Sequence, residues 1–394
     1  MAEKSAVDRS ASRTETGPNQ LGPEESAQAF KKRLFGIASN GLLSLNVGLG
    51  SELDLYQILA DCASENQPAS VEKIAERGKL KPRYVKEWLS AMVCAQIVES
   101  DPSGERFWIP EEKLKILLGN PDTCHKPDDS LVVHGFLPNF AKAFDDVAGI
   151  FRKDGPYGLD YESYIGFFQP MNEWSKSLHR SHHLTKDYVE AMGVREALQR
   201  GIDVLDVGSG EGHHVMEIAK HFPASRFTSL DIYAPVVETS SARAKQLGIR
   251  NIDFVVGDAQ KMAADWSNRF DLITVFDSCH DQYRPDITFK EMRRCLKVGG
   301  RLAVCEYMGS TGNCYEDRKK FGNDLATLFY AGSVMHCLPI GSNSADSLRL
   351  GTMSGTEIWK HLLALGGFEG EDVAVIRLPC FPVSVFYRAI KSSE

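Results

Sequence analysis

The chain has 394 residues, of which 43% are hydrophobic and 25% are charged. This balance is typical of folded globular proteins and excludes a wholly disordered or collagen-like chain, and the length allows about two or three domains. The 45 basic and 53 acidic residues give a formal net charge of −8. That charge argues against a chain built as a whole to bind nucleic acid or an anionic membrane surface.

The location and redox state of the protein are predicted from what the sequence lacks. No run of about 18 consecutive apolar residues occurs, and residues 1–28 lack the apolar segment of a secretory signal. The nine cysteines include no C-x-x-C pair, which disfavours a disulfide scaffold and a cysteine-based zinc site. Two pairs of adjacent histidines occur, His182 with His183 and His213 with His214. Neither pair is interpreted as having the i,i+4 partner or the carboxylate set typical of a metal site. We therefore expect a cytoplasmic protein with reduced thiols and no metal.

Composition and periodicity divide the chain into four parts. Residues 1–28 are rich in Ser, Glu, Gly and Pro and are predicted to form a disordered tail. Residues 29–119 show the pattern helix, turn, helix and hairpin, with Ser70 as an N-cap, which predicts a winged-helix domain. Residues 120–200 carry many aromatic side chains and predict a helical bridge that either packs between domains or covers a ligand pocket. Residues 201–394 alternate apolar strands with helices, the pattern of a doubly wound α/β sheet.

The strand patterns of this last part predict a Rossmann-like sheet of seven strands. The first strand is IDVLDVG and the last two are DVAVIRLP and VSVFYRAI. A helix is predicted after each of the first five strands, including a short one over residues 259–267. Since only Cys380, Phe381 and Pro382 separate the last two strands, a parallel crossover cannot join them. We expect these two strands to form an antiparallel hairpin at or near the sheet edge.

A glycine-rich turn follows the first strand, in the segment VLDVGSGEGHH. Gly208, Gly210 and Gly212 lie in this turn, where the missing side chains allow the backbone to approach a ligand closely. The fingerprint of nicotinamide- or flavin-binding folds would place its third glycine at position 213, which is His213 here. The glycine spacing therefore disfavours those cofactors.

Acidic residues end the next two strands. Asp231 ends the second strand, where a carboxylate can accept hydrogen bonds from both hydroxyls of a ribose. Asp258 and Ala259 end the third strand, where they are expected to meet the edge of an adenine ring. Two such strand ends behind a glycine-rich turn indicate a site for an adenosine-containing ligand.

The spacing G-x-G-x-G after Leu205 and Asp206, together with KVGGRLAVCE at the entry into strand five, resembles the class I S-adenosylmethionine-dependent methyltransferases. The preceding winged helix and the segment FDSCHDQ after strand four resemble a group of winged-helix methyltransferases of mycobacteria and animals. The layout is more distantly similar to plant small-molecule O-methyltransferases. The resemblance implies S-adenosylmethionine as cosubstrate and a small-molecule acceptor. It implies the cofactor-binding residues Asp206, Gly208, Gly210, Gly212, Asp231, Ile232, Asp258, Ala259 and Phe276.

A candidate base follows the fourth strand. Methyl transfer to a hydroxyl requires that the acceptor be positioned and its proton removed. The segment VFDSCHDQ supplies His280 between Asp277 and Asp281. By resemblance to the plant enzymes, His280 is the general base and Glu306, at the end of strand five, orients it. A second supporting carboxylate of those enzymes is missing in the segment LGTMSG, so a mechanism by positioning alone stays open.

The acceptor and the role of the winged helix also leave alternatives. Methylation at oxygen and at nitrogen both remain open, and a competing hypothesis is a DNA-binding regulator that senses S-adenosylmethionine. The second helix of the winged-helix domain carries Arg83 and Lys86, which Glu87 opposes, and Lys79 and Lys81 add a modest basic patch. In the plant enzymes this domain forms a dimer and caps the substrate pocket. We therefore expect a homodimer, with nucleic-acid binding disfavoured and no membrane contact.

Overall fold

The computed structural model describes residues 25–119 and 129–393. Residues 1–24 of the predicted disordered tail lie outside the described residues. Residues 120–128, at the start of the predicted bridge, also lie outside them. The first helix begins at Ala27, with Ser26 as its N-cap. In the described ranges, no helix combines the length and the apolar character needed to cross a membrane.

Residues 25–119 form a winged-helix domain, as the sequence predicts. A three-stranded antiparallel sheet packs beside the helices, and its central strand, Arg106–Trp108, lies between Ala69–Ser70 and Glu99–Ser100. The Ser70 side chain accepts a hydrogen bond from the Lys73 amide, which confirms the predicted N-cap. Ile74, Leu89 and Phe107 are buried in the core of this domain. The elements are α1 (Ala27–Glu52), α2 (Leu55–Cys62), β1 (Ala69–Ser70), α3 (Val71–Gly78), α4 (Pro82–Cys94), β2 (Glu99–Ser100), β3 (Arg106–Trp108) and α5 (Glu111–Leu118).

A bridge of short helices connects this domain to the large sheet. Its helices are α6 (Asp129–Val132), α7 (Leu137–Lys142), α8 (Phe144–Ile150), α9 (Phe168–Leu178), α10 (Ser181–His183), α11 (Val189–Ala191) and α12 (Arg195–Arg200). A π-helical turn, Leu184–Tyr188, separates α10 from α11. The aromatic residues of the bridge divide between two environments: Phe136 and Tyr164 are buried in a core of their own, whereas Phe144 and Phe151 are exposed.

The described residues from 201 onward form a seven-stranded sheet flanked by helices. The strands are β4 (Asp203–Val207), β5 (Arg226–Asp231), β6 (Ile252–Val256), β7 (Phe270–Phe276), β8 (Leu296–Tyr307), β9 (Val373–Ile376) and β10 (Ser384–Ile390). The helices are α13 (His213–His221), α14 (Ala234–Gln246), α15 (Pro285–Cys295), α16 (Cys314–Gly332), α17 (Leu338–Gly341) and α18 (Thr356–Leu365). A second π-helical turn, Ser333–Cys337, follows α16.

The strand order is β6-β5-β4-β7-β8-β10-β9, and all seven predicted strands are present. β4 to β8 run parallel, and β9 and β10 form the predicted antiparallel hairpin, with β9 at the edge. The chain reverses its winding direction between β4 and β7. In such sheets a ligand binds at the carboxyl ends of the strands beside this reversal.

The prediction of a short helix over residues 259–267 is wrong. This segment contains a single 3₁₀ turn, Ala264–Trp266. The Asp258 carboxylate accepts a hydrogen bond from the Gln260 amide at 2.8 Å, and Glu291 accepts one from the Met262 amide at 2.9 Å. The two carboxylates take the place of the carbonyl groups that would accept from these amides in a helix. The segment can therefore stay non-helical without leaving the amides unpaired.

Candidate active site

The glycine-rich turn after β4 forms one wall of a cavity at the carboxyl ends of the strands. Gly208 has φ +67°, and a Cβ atom there would lie 2.3 Å from the Ser278 hydroxyl oxygen. Gly210 has φ +52°, and no atom lies within 4 Å of the position of its Cβ. The first glycine is therefore required by close packing, whereas the second keeps space open for a ligand.

Asp231, at the end of β5, connects this turn to the neighbouring strand. One carboxylate oxygen accepts a hydrogen bond from the Gly210 amide at 2.8 Å, and the other accepts one from the Tyr233 amide at 3.0 Å. Burial raises the pKa of Asp231, although the backbone amides that it accepts act in the opposite direction. The carboxylate is thus held rigidly at the edge of the cavity.

The remaining predicted cofactor residues lie around the same cavity, with one exception. Asp206 is buried, accepts a hydrogen bond from the Thr274 hydroxyl at 2.6 Å, and has a pKa raised to about 7 by burial. Gly212 does not line the cavity: it has φ +72° and serves as the N-cap of α13. The predicted residues that do line the cavity are Asp206, Gly208, Gly210, Asp231, Ile232, Asp258, Ala259 and Phe276.

Aromatic side chains of the bridge cover this cavity. The Phe168 ring stacks on the Tyr233 ring with centroids 5.2 Å apart and an interplanar angle of 13°. Tyr161 lies 5.9 Å from the same Tyr233 ring, and Phe167 also lines the cavity. The bridge therefore acts as the wall and lid of a pocket as well as packing between domains.

A cluster of three buried histidines lies against the cavity, and sequence reasoning recognised only two of them. His214 stacks on Phe276 with ring centroids 4.1 Å apart, and its Nε2 lies 2.9 Å from Nδ1 of His179. His213 Nε2 lies 2.9 Å from the His179 carbonyl oxygen. Burial lowers the pKa of His179 to about 3 and that of His213 to about 4, so these rings are neutral near pH 7. His179 had no motif around it that could have indicated this role.

His280 and Glu306 form a buried pair immediately behind the cavity wall. His280 Nδ1 lies 2.6 Å from Glu306 Oε2, and Glu306 Oε1 accepts a hydrogen bond from the Cys279 amide at 2.9 Å. His280 Nε2 lies 3.4 Å from Asp281 Oδ1. Asp277 and Asp281, which flank the histidine in sequence, line the cavity itself.

The charge state of His280 is set by opposing effects. Burial by itself lowers the pKa of this imidazole, but the negative charges of Glu306 and Asp281 together outweigh burial. The pKa of His280 consequently lies well above its ordinary value. Burial raises the pKa of Asp281 to about 6, with His280 acting in the opposite direction.

Two further side chains on the second π-helical turn, His336 and Cys337, lie beside Asp281, and no motif in the sequence indicates them. His336 stacks on Phe167 with ring centroids 3.7 Å apart, and its Nδ1 lies 3.9 Å from Asp281 Oδ2. The Cys337 sulfur, a ring nitrogen of His280 and a carboxylate oxygen of Asp281 all lie within 4.8 Å of one another. The base candidate is therefore surrounded by polar groups from three separate segments of the chain.

The arrangement has the parts needed for group transfer from an adenosine-containing donor. The open space at Gly210 and the carboxylate of Asp231 suit the ribose of such a donor. Asp281 lines the same cavity and His280 lies directly behind it, where the imidazole could accept the proton of an acceptor hydroxyl.

Comparison with known proteins agrees with this geometry. Residues 198–364 match the family model described as a methyltransferase domain, and residues 41–118 match the model described as an Rv2258c-like winged HTH domain. Over 196 residues, the chain is 30% identical to a ubiquinone/menaquinone biosynthesis C-methyltransferase of Azotobacter vinelandii. That alignment covers 48% of this chain and 73% of the relative.

Solved structures share the whole layout at low sequence identity. Human N-acetylserotonin methyltransferase, solved in complex with S-adenosylmethionine, is similar with a TM-score of 0.64 and 16% identity over 95% of this chain and 100% of that one. A mitomycin 7-O-methyltransferase is similar with a TM-score of 0.64 and 14% identity over 92% of this chain and 98% of that one. These likenesses extend the shared fold from the sheet to the winged helix.

Proposed function

This chain belongs to the class I S-adenosylmethionine-dependent methyltransferases, and we propose that it methylates a hydroxyl group of a small, largely apolar molecule with His280 as general base. S-adenosylmethionine is the cosubstrate and, when bound, supplies a methyl group on an already activated sulfonium. The observation that carries the proposal is the 2.6 Å contact between His280 Nδ1 and Glu306 Oε2 beside the cavity. An imidazole oriented by a buried carboxylate is the usual arrangement of a general base.

Each member of the pair has a distinct task in this mechanism. Glu306 holds the proton on Nδ1 of His280, so Nε2 carries no proton and can accept that of the acceptor hydroxyl. The Cys279 amide holds Glu306 in place. When His280 becomes positively charged, Glu306 and Asp281 stabilise that charge in a site from which water is largely excluded.

The donor end of the cavity supports binding of the adenosine moiety. We assign Asp231 to the ribose hydroxyls and Asp258 with Ala259 to the adenine edge. Phe276, backed by the stacked His214, provides a flat wall beside them. The histidines beside the cavity carry no positive charge that would repel a cationic donor, and the acidic side chains of Asp206 and Asp277 line the same cavity.

The acceptor end combines apolar walls with two amide oxygens. Phe167, Met171 and Ile340 line it and favour a flat or apolar molecule. The side-chain oxygens of Asn172 and Gln282 are buried and have no hydrogen-bond partner within residues 25–119 and 129–393. A buried acceptor without a partner costs about 1–3 kcal/mol. We infer that the methyl acceptor carries a further O–H or N–H group that donates to these oxygens.

Methylation at carbon is the second candidate, because the sequence relative from Azotobacter vinelandii is a C-methyltransferase. On a phenol or quinol, removal of the hydroxyl proton also activates the adjacent ring carbon. His280 would then perform the same proton transfer, and the two candidates differ in the atom that receives the methyl group.

The pH dependence of turnover tests the role of the pair. The base must be neutral to accept a proton, so kcat/KM should rise with pH through a pKa above the ordinary imidazole value of about 6.5. Replacing Glu306 by glutamine removes the largest effect that raises the pKa of His280, whereas burial still lowers it. The acid limb of the Glu306→Gln profile should therefore move to lower pH, with a lower plateau. An acid limb at the same pH in wild type and variant would contradict the assignment.

A homodimer is the partner assignment that the surface supports best. The first sixteen residues of α1 are almost entirely exposed, and Phe35 and Leu42 have 75% and 67% of their surface accessible. Isolated helices of about 12–15 residues are marginal in water. An apolar groove lined by Leu49, Leu53 and Tyr84 lies at the base of this helix. We infer that a second copy of the chain covers these apolar side chains.

Sedimentation should therefore give about twice the chain mass of 43.7 kDa. Replacing Phe35 and Leu42 together by glutamate should yield a monomer, because charges would face the apolar surface of the partner. The matched control is Tyr157→Glu, which changes an exposed aromatic residue of the bridge and should remain dimeric. A wild-type monomer across the micromolar range would contradict the homodimer.

A DNA-binding regulator is less well supported. On α4, Arg83 forms an ion pair with Glu87, and Lys86 Nζ lies 2.9 Å from Glu105 Oε1. Carboxylates that neutralise these cations would also repel phosphates. We therefore retain the expectation that the protein has no nucleic-acid partner. The cytoplasmic location stays a separate prediction from the sequence.

A further inference from the structure

A cluster of potential metal ligands lies outside the cavity, where the bridge meets the turn between β9 and β10. His183 is the last residue of α10, Asp187 lies on the following π-helical turn, and Cys380 lies on the β9–β10 turn. His183 Nδ1 is 2.6 Å from Asp187 Oδ2. The imidazole nitrogen, the carboxylate oxygen and the Cys380 sulfur all lie within 4.8 Å of one another.

The backbone on both sides of the cluster is anchored in the core. Leu184 and Tyr188, at the two ends of the π-helical turn, are completely or almost completely buried. Phe381, directly after Cys380, is also buried, and its ring centroid lies 5.9 Å from that of His183. A π-helical turn is rare and is frequently found at functional sites. The three side chains are therefore presented from rigid segments.

The cluster is accessible, unlike two similar groups deeper in the protein. The side chains of His183 and Asp187 are 28% and 33% exposed. In the group formed by His179, Asp277 and Cys305, both His179 nitrogens already contact other side chains. The group that contains His280 is buried at the proposed active site. A site with an entry path from solvent is one that a metal ion can fill.

We propose that His183, Asp187 and Cys380 bind a Zn²⁺ ion with a water molecule as fourth ligand. Nitrogen, oxygen and thiolate ligands in this combination suit zinc, and ligand atoms about 2.0–2.3 Å from a tetrahedral ion lie about 3.3–3.8 Å apart. Small side-chain rotations that separate His183 from Asp187 would create this geometry. The site revises the expectation of no metal, which overlooked Asp187 four residues after His183.

The bound ion would cross-link the bridge to the β9–β10 hairpin, two segments distant in sequence. A ligand that binds the folded chain and not the unfolded one raises the melting temperature, and the rise grows with the logarithm of the free ligand concentration above its dissociation constant. Because the site lies outside the cavity, this effect is independent of the methyl acceptor and of the role of His280.

The test is a zinc titration of the full-length chain, prepared free of metal with a non-thiol reductant, in competition with a chromogenic chelator. We expect one tightly bound Zn²⁺ ion per chain and a melting temperature raised by a few degrees in excess zinc. Cys380→Ser should weaken binding by about 100-fold or more. The matched control, Cys314→Ser, removes an exposed thiol on α16 and should bind zinc as the wild type does.

Cobalt substitution adds a spectroscopic readout. Co²⁺ bound to wild type should give a thiolate-to-metal charge-transfer band, which Cys380→Ser should abolish and Asp187→Asn should retain with weaker binding. Affinity for S-adenosylhomocysteine reports that each variant is folded. The proposal is overturned if Cys380→Ser leaves zinc affinity and the cobalt band unchanged, if Cys337→Ser removes them instead, or if wild type does not compete with the chelator.

Discussion

Replacing His280 by alanine should lower kcat by about 10²–10⁴ while affinity for S-adenosylhomocysteine stays within about threefold of wild type. His280 lies behind the cavity wall rather than in its lining, so the cofactor cavity keeps its shape when the imidazole is removed. The loss falls on turnover because the imidazole is the group that accepts the proton of the acceptor hydroxyl in this mechanism. Steady-state kinetics and calorimetry measure the two effects separately.

The matched control is His361→Ala, which removes an exposed histidine from α18 and should keep wild-type turnover. Glu306→Gln should lower kcat less than His280→Ala, because glutamine can still accept the Nδ1 proton. If His280→Ala kept near-normal turnover between pH 6 and 9, the general-base role would be wrong. Positioning of the acceptor beside the donor would then account for catalysis.

Replacing Asp231 by alanine should weaken binding of S-adenosylhomocysteine by about 10–100-fold. A hydrogen bond to a charged group contributes about 1.5–3 kcal/mol, which corresponds to that range. The same carboxylate holds the Gly210 and Tyr233 amides, so its loss also loosens the glycine-rich turn. Calorimetric titration of the folded variant measures the change.

Asp253→Ala provides the comparison, because it removes an exposed carboxylate from β6 outside the cavity lining. It should bind S-adenosylhomocysteine as wild type does. An unchanged affinity in Asp231→Ala would remove the basis for placing the ribose at that residue.

The fold could be predicted in most respects because its patterns are local. The alternation of apolar strands and helices predicts the sheet, and the short connection at Cys380 to Pro382 predicts the antiparallel hairpin. The helix over residues 259–267 was predicted wrongly because the competing hydrogen bonds come from side chains. One of these, Glu291, lies on a different helix and cannot be recognised from local periodicity.

The site could be predicted where a motif carried it. The glycine spacing and the acidic strand ends indicate the donor wall, and all of these residues except Gly212 line the cavity. His179, His336 and Cys380 were missed because they belong to segments without a motif and meet their partners through tertiary packing. The deep burial of His280, which changes its pKa, also depends on that packing and not on the sequence nearby.

The most direct measurement is the identity of the methylated atom. Wild-type protein would be incubated with S-adenosylmethionine labelled with ¹³C in its methyl group and a panel of phenols that carry a second hydroxyl or an amide. The products would be examined by carbon NMR. The account predicts a labelled methoxy group, formed by wild type and strongly reduced in His280→Ala. A labelled methyl group on ring carbon or nitrogen, or no transfer to any acceptor by protein that binds S-adenosylmethionine, would contradict O-methylation.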